Sequence, residues 1–98
     1  VLPATYRVDL DRLQEELGVR PEMVGEREIA ELFPDCELGA EPPFGSQYGL
    51  RTLVDTHLTQ QKRIAVRACS HHEIVLLNYD DYARLECPEV MAFATLER

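Results

Sequence analysis

Cys69, Ser70, His71 and His72 stand in one run in a chain that holds only three cysteines and three histidines. A thiol beside an imidazole is the material of a nucleophile and its base, and both groups are common zinc ligands. On an extended segment neighbouring side chains point to opposite faces, so Cys69 and His71 can share a side while His72 takes the other. A nucleophile needs its base within hydrogen-bond reach, and a structural zinc site needs ligand spacing such as C-x-x-C, which is absent. The plainer reading is a tight bend between two strands with exposed histidines. The other feature that could serve chemistry is the stretch Phe33-Pro-Asp-Cys-Glu-Leu-Gly-Ala-Glu-Pro-Pro-Phe-Gly45. Pro42 and Pro43 remove two backbone donors and fix two φ angles, and each restricts the residue before it. Gly39 and Gly45 supply permissive backbone at either end. A loop this stiff holds a shape, either for a ligand or for a packing contact.

Other reactive groups carry ordinary readings. Cys36 reads as a small apolar filler beside the loop. Lys62, the single lysine, sits with Gln60, Gln61 and Arg63 in a solvated turn. Asp55 ends a strand, where its carboxylate either bonds nearby backbone or stands near a site. Glu15, Glu16, Glu26, Glu28 and Glu31 read as solvated helix faces.

The elements that must hold these residues follow from periodicity. Asp9 or Asp11 caps a helix over residues 9–17, with Leu10, Leu13 and Leu17 on one face and Gly18 as its stop. Residues 21–25 form a connector with an edge strand at Glu22–Val24. A second helix spans Glu26 to Phe33 with Ile29, Ala30 and Phe33 inward, its acidic first turn suiting the helix dipole. A turn falls near Tyr48 and Gly49, and a strand covers Leu50 to Asp55. Thr56 to Gln61 is polar and turn-like. Ile64, Val66 and Ala68 alternate with Ala65 and Arg67 as a half-buried strand. Ile74 to Leu77 is continuously apolar, which predicts a strand covered on both faces. Asn78 or Asp80 caps a last helix with Tyr82 and Leu85 three apart, and Pro88 ends it. Helices early and strands late give an α/β (mixed α+β) domain.

Ninety-eight residues suffice for one small domain, 1–98, with a modest core. The formal net charge of −8 disfavours nucleic-acid binding through the overall field, so any RNA contact must be local. Three widely spaced cysteines argue against a disulfide framework and for reduced thiols in the cytosol. No apolar run reaches a membrane span and no signal-peptide pattern opens the chain. The start Val1-Leu-Pro-Ala reads as the end of a strand, which predicts further sequence upstream.

The block Leu32 to Gly45, then Tyr48-Gly-Leu, then Val54-Asp55, closely resembles the YbaK/ProX-type aminoacyl-tRNA deacylase (editing) family. Val1-Leu-Pro-Ala and Asp80-Asp-Tyr-Ala-Arg-Leu with Pro88 fit the same family, so the resemblance covers nearly the whole chain in order. It implies a YbaK-like fold, with one mixed β-sheet or a partly closed barrel and flanking helices. It also implies a cytoplasmic hydrolase that cleaves the ester of mischarged aminoacyl-tRNA, usually tRNA for proline, alone or beside an aminoacyl-tRNA synthetase. The family's Gly-x-x-x-Pro loop lines the site for the aminoacyl group and terminal adenosine at the tRNA 3′ end. It carries over as Gly39, Ala40, Glu41, Pro42 and Pro43. The family's chemistry leans on the tRNA's ribose hydroxyl and a positioned water, so neither cofactor, metal nor covalent intermediate is implied. Ser70 and His71 are expected on the pocket rim, with Glu73 as counterpart of a carboxylate after the second loop. Two departures stand out. The family's lysine falls upstream of Val1, and Cys69 occupies the place of a glycine in the family's second loop. They support an alternative, a binding module of the same fold that recognises an amino acid, a nucleotide or a protein partner without hydrolysis. A purely structural fragment is a third reading.

Overall fold

The computed structural model describes residues 1–97. In order they form β1 (Tyr6–Val8), α1 (Leu10–Leu17), α2 (Glu26–Leu32), a 3-10 turn (Gly45–Tyr48), β2 (Leu53–Asp55) and α3 (Thr56–Thr59). There follow β3 (Arg63–Arg67), β4 (Ile74–Asn78), α4 (Tyr79–Glu86), β5 (Glu89–Met91) and β6 (Ala94–Leu96). The mixed α+β class expected from the sequence holds. Among the described residues the strands pair two by two: β1 with β6 and β3 with β4 antiparallel, β2 with β5 parallel. The single mixed sheet is thus divided into small ones. Val1 lies along β2, its amino group donating to the Leu53 carbonyl at 2.6 Å and its carbonyl accepting from Asp55 N–H at 2.9 Å. Bonds to residues i and i+2 of the neighbour are those of a parallel pair.

Local rules account for the helices. Asp9 caps α1 by accepting from the N–H groups of Asp11 and Arg12, and Gly18 ends it in the left-handed region, φ 74°. Asp55 caps α3 by accepting from His57 N–H, so the Thr56–Gln61 segment read as a turn begins with a helical turn. The core gathers Val54, Leu58, Ile64, Tyr79 and Tyr82, with Phe44, Val66 and Leu77 packed against it. Burying side chains of this size contributes about 1.5–3 kcal/mol each.

Several expectations are corrected. Glu22–Val24 pairs with no strand, and Ala30 faces solvent. The strand expected over residues 50–55 is confined to Leu53–Asp55. Ile74 and Leu76 are 58% and 61% exposed, because β4 pairs with β3 but carries no covering layer on both faces. Leu85 is 72% exposed, since the inward face of α4 is Tyr79, Tyr82 and Glu86, spaced i, i+3, i+7.

Candidate functional site

The Gly39–Pro43 loop follows α2 after residues 33–38 and is held at its two ends, by α4 and by the bend between β3 and β4. At its far end, the Tyr82 hydroxyl donates to the Pro43 carbonyl at 2.6 Å. Tyr82 is fully buried, its ring edge-on to Phe44 with centroids 5.2 Å apart. Burial pushes its hydroxyl far above the ordinary value and keeps it a donor. One turn along α4, the buried Glu86 carboxylate accepts from Ser46 N–H at 3.0 Å, Ser46 Oγ–H at 2.6 Å and Thr52 Oγ1–H at 2.6 Å. Burial alone would raise the Glu86 carboxyl, but these bonds to its charged form outweigh it and hold the group below its usual range. Thr52 Oγ1 in turn accepts from Gly45 N–H at 3.1 Å.

The near end is docked on the bend between β3 and β4. Glu37 N–H donates to the Cys69 carbonyl at 2.9 Å, and Cys69 N–H donates to the Ala40 carbonyl at 3.0 Å. His71 Nε2–H donates to the Leu38 carbonyl at 2.7 Å, which fixes its tautomer. Arg67 reaches the His71 carbonyl at 2.9 Å from the end of β3. Gly39 takes φ 84°, a conformation costly for residues with a Cβ, and a Cβ there would meet the His71 ring at 3.4 Å. Its N–H donates to the Glu41 carboxylate at 3.0 Å.

Cys36 and Cys69 are disulfide-bonded, linking the segment ahead of the loop to this bend across 33 residues. The bridge corrects the readings of Cys36 as a filler and of the cysteines as all reduced. It formed no motif in the sequence because only the docking of the two loops brings its halves together. Cys69 itself is left-handed, φ 69°, which explains why glycine suits the position in the family. Tyr48 closes over the bridge. Its hydroxyl donates to Asp35 at 3.0 Å and lies 3.4 Å from Cys36 Sγ and 3.6 Å from Cys69 Sγ. Donor atoms of Asp35, Cys36 and Cys69 cluster within 4.8 Å, but bridged sulfurs are not the thiolates a metal binds.

Of the residues predicted from sequence, Gly39, Ala40, Glu41 and His71 are brought together. Ala40 is fully buried, its N–H donating to the Glu37 carbonyl and its carbonyl accepting from Cys69 N–H. Pro42 and Pro43 line a small, mostly apolar cavity of about 160 Å³ with Phe33, Leu50 and Arg51. Ser70 is half-buried, its Oγ accepting from His72 N–H at 3.0 Å. Glu73 is exposed beyond the bend. Lys62 is exposed just before β3, and Asp55 serves the fold. Sequence reasoning missed Glu37, Tyr48, Thr52, Tyr82 and Glu86. A buried tyrosine hydroxyl demands a partner, which is the one available hint for Tyr82; nothing local marks Glu86 as buried.

Within the loop the carbonyls of Glu37, Leu38, Ala40 and Pro43 are taken by internal donors. Those of Gly39, Glu41 and Pro42 have no internal donor among the described residues. The loop thus offers three free acceptors, and its Pro42 and Pro43 end lines a small apolar hollow.

The aminoacyl-tRNA editing domain family matches residues 1–85. The chain belongs to this family. The resemblance carried by Leu32 to Gly45 therefore holds over most of the chain. No curated protein matches it. Among solved structures, hypothetical protein APE2540 is similar at 16% identity and TM-score 0.83, over 95% of this chain and 61% of that one. A protein from Marinobacter aquaeolei VT8 is similar at 19% identity and TM-score 0.82, over 96% of this chain and 21% of that one. A structure from epitope backbone grafting by computational design is similar at 17% identity and TM-score 0.78, over 91% and 57%. These likenesses concern the fold. The editing-domain chain spans between about a fifth and three fifths of the solved chains it matches. No helix among its described residues is long and apolar enough to cross a membrane.

Proposed function

We propose that residues 1–98 form a single editing domain that hydrolyses the ester of mischarged aminoacyl-tRNA, with tRNA for proline as the carrier, in the cytoplasm. The supporting observation is the docked loop, which leaves the carbonyls of Gly39, Glu41 and Pro42 unengaged among the described residues and lines a small hollow with Pro42 and Pro43. The amine of an aminoacyl ester is a donor that such acceptors can orient, and the small hollow favours a small side chain. Apolar contact distinguishes small amino acids by only about 1–3 kcal/mol per methylene, so a second hydrolytic pocket improves discrimination. Orienting the ester, the ribose hydroxyl and a water lowers the barrier without a strong base. Gly39, Ala40, Glu41, Pro42 and Pro43 shape the pocket in this reading, with Ser70, His71 and Glu73 at its rim. A synthetase is a fitting partner, because the acidic surface of this chain gives weak affinity for free tRNA.

Incubation with tRNA for proline charged with alanine, and separately with proline, tests the proposal. Release of amino acid above the buffer rate is expected for the mischarged species. No release from any charged tRNA would overturn it. The alternative binding module is favoured by one observation, the cysteine side chain at position 69, and predicts binding of the charged 3′ end without release.

A further inference from the structure

We propose that Cys36 and Cys69 are a site of thiol–disulfide exchange whose oxidation state latches the two loops of the candidate site together. The bridge connects two segments that also share the Glu37–Cys69 and Cys69–Ala40 backbone bonds, so one covalent link acts on the joint that presents Gly39 and His71. Cys69 holds a left-handed backbone that a side chain disfavours. While bridged, it is pinned in that conformation; once reduced, the residue is free to leave it, and both of its backbone bonds to the facing loop go with it. Cys36 and Cys69 are half-buried, so a small thiol has access. Cys87 is free and exposed and forms no part of the latch.

The partner class is a low-molecular-weight thiol and its disulfide. The thiolate of a first small thiol attacks one sulfur of the bridge, forming a mixed disulfide and releasing the other cysteine as a thiolate. A second small thiol attacks the mixed disulfide. The products are two protein thiols and one small-molecule disulfide; two electrons and two protons pass from the small thiols to the bridge. The reverse sequence closes the latch. The order in the loops makes the oxidised form the competent one. This last point rests on the editing reading; the latch itself does not.

The chain is equilibrated with glutathione disulfide or with excess reduced glutathione, then followed by alkylation and by amide hydrogen exchange. Alkylation after unfolding, read by mass, is expected to find Cys36 and Cys69 joined to each other and unlabelled in the oxidised form and both labelled in the reduced form, while the exposed Cys87 exchanges with glutathione independently. Protection of the Glu37 and Cys69 amides is expected to fall at least about tenfold on reduction, while the Gly18 amide, bonded to Gln14, stays unchanged. Cys36→Ala is expected to show the low Glu37 and Cys69 amide protection of the reduced form in both buffers. Cys36 and Cys69 labelled, or each carrying glutathione, in the oxidising buffer, or equal protection in the two forms, would overturn the latch. Equal rates of amino acid release from mischarged tRNA by two forms that differ in protection would overturn its control of the site. No release by either form, with the protection difference intact, removes the editing reading and leaves the latch standing.

Discussion

The hydroxyl of Tyr82 donates to the carbonyl of Pro43 at 2.6 Å, so the last helix of the chain holds the end of a proline-rich loop 39 residues earlier. Pro42 and Pro43 offer no N–H of their own, so this end of the loop is tied through its carbonyl and through the groups around Gly45.

Tyr82→Phe removes that bond and leaves the ring against Phe44. The variant is expected to lose about 1–2 kcal/mol of stability, as for a buried carbonyl left without its donor. Urea unfolding measures the loss. In the same protein, exchange of the Ser46 amide is expected to remain slow, because Glu86 still accepts from it.

Gly45→Ala tests the packing behind the loop. A Cβ there would stand 2.6 Å from Thr52 Oγ1 and 3.2 Å from the Leu50 carbonyl. Since Thr52 Oγ1 also links Gly45 to Glu86, the intruding methyl strains a bonded group. A destabilisation of about 1–3 kcal/mol is expected in thermal or urea unfolding.

Acid stability depends on two buried carboxylates. Burial raises the Asp55 carboxyl, but donors at Phe93, His57 and Ala94 outweigh this and hold it below its ordinary value. Glu86 is depressed in the same sense. A group depressed on folding contributes stability above its unfolded pKa, about 3.9 for Asp and 4.3 for Glu, and loses it as pH falls through the folded value. Urea midpoints are therefore expected to hold from neutrality to about pH 4.5 and to fall below it. Asp55→Ala leaves three backbone donors unpaired, a loss of about 3–5 kcal/mol, and flattens the acid limb.

How much of this was visible in the sequence depended on whether a signal was local. Asp9, Leu10, Leu13, Leu17 and Gly18 specify α1 by capping and spacing alone, and the structure agrees. The apolar run Ile74–Leu77 specifies a strand but not its cover, which depends on what packs across it. Glu86 is buried beside an exposed Leu85 because Ser46 and Thr52 satisfy its carboxylate, and those partners lie 40 and 34 residues earlier. Likewise, the Gly39–Pro43 loop was legible by its own composition. Its docking on Cys69 and His71, and the bridge from Cys36, are tertiary and left no mark on spacing.

The rate of alanine release from alanyl-tRNA for proline, compared between the unaltered chain and Gly39→Ala, tests the editing claim most directly. Alanine at position 39 has to hold φ near 84° with its Cβ against the His71 ring, which displaces the loop. Release above buffer by the unaltered chain and a fall of at least about tenfold in the variant are expected, since misplacement of this kind is costly to rate. Release at the buffer rate by the unaltered chain, or equal rates for the two proteins, would contradict the editing claim.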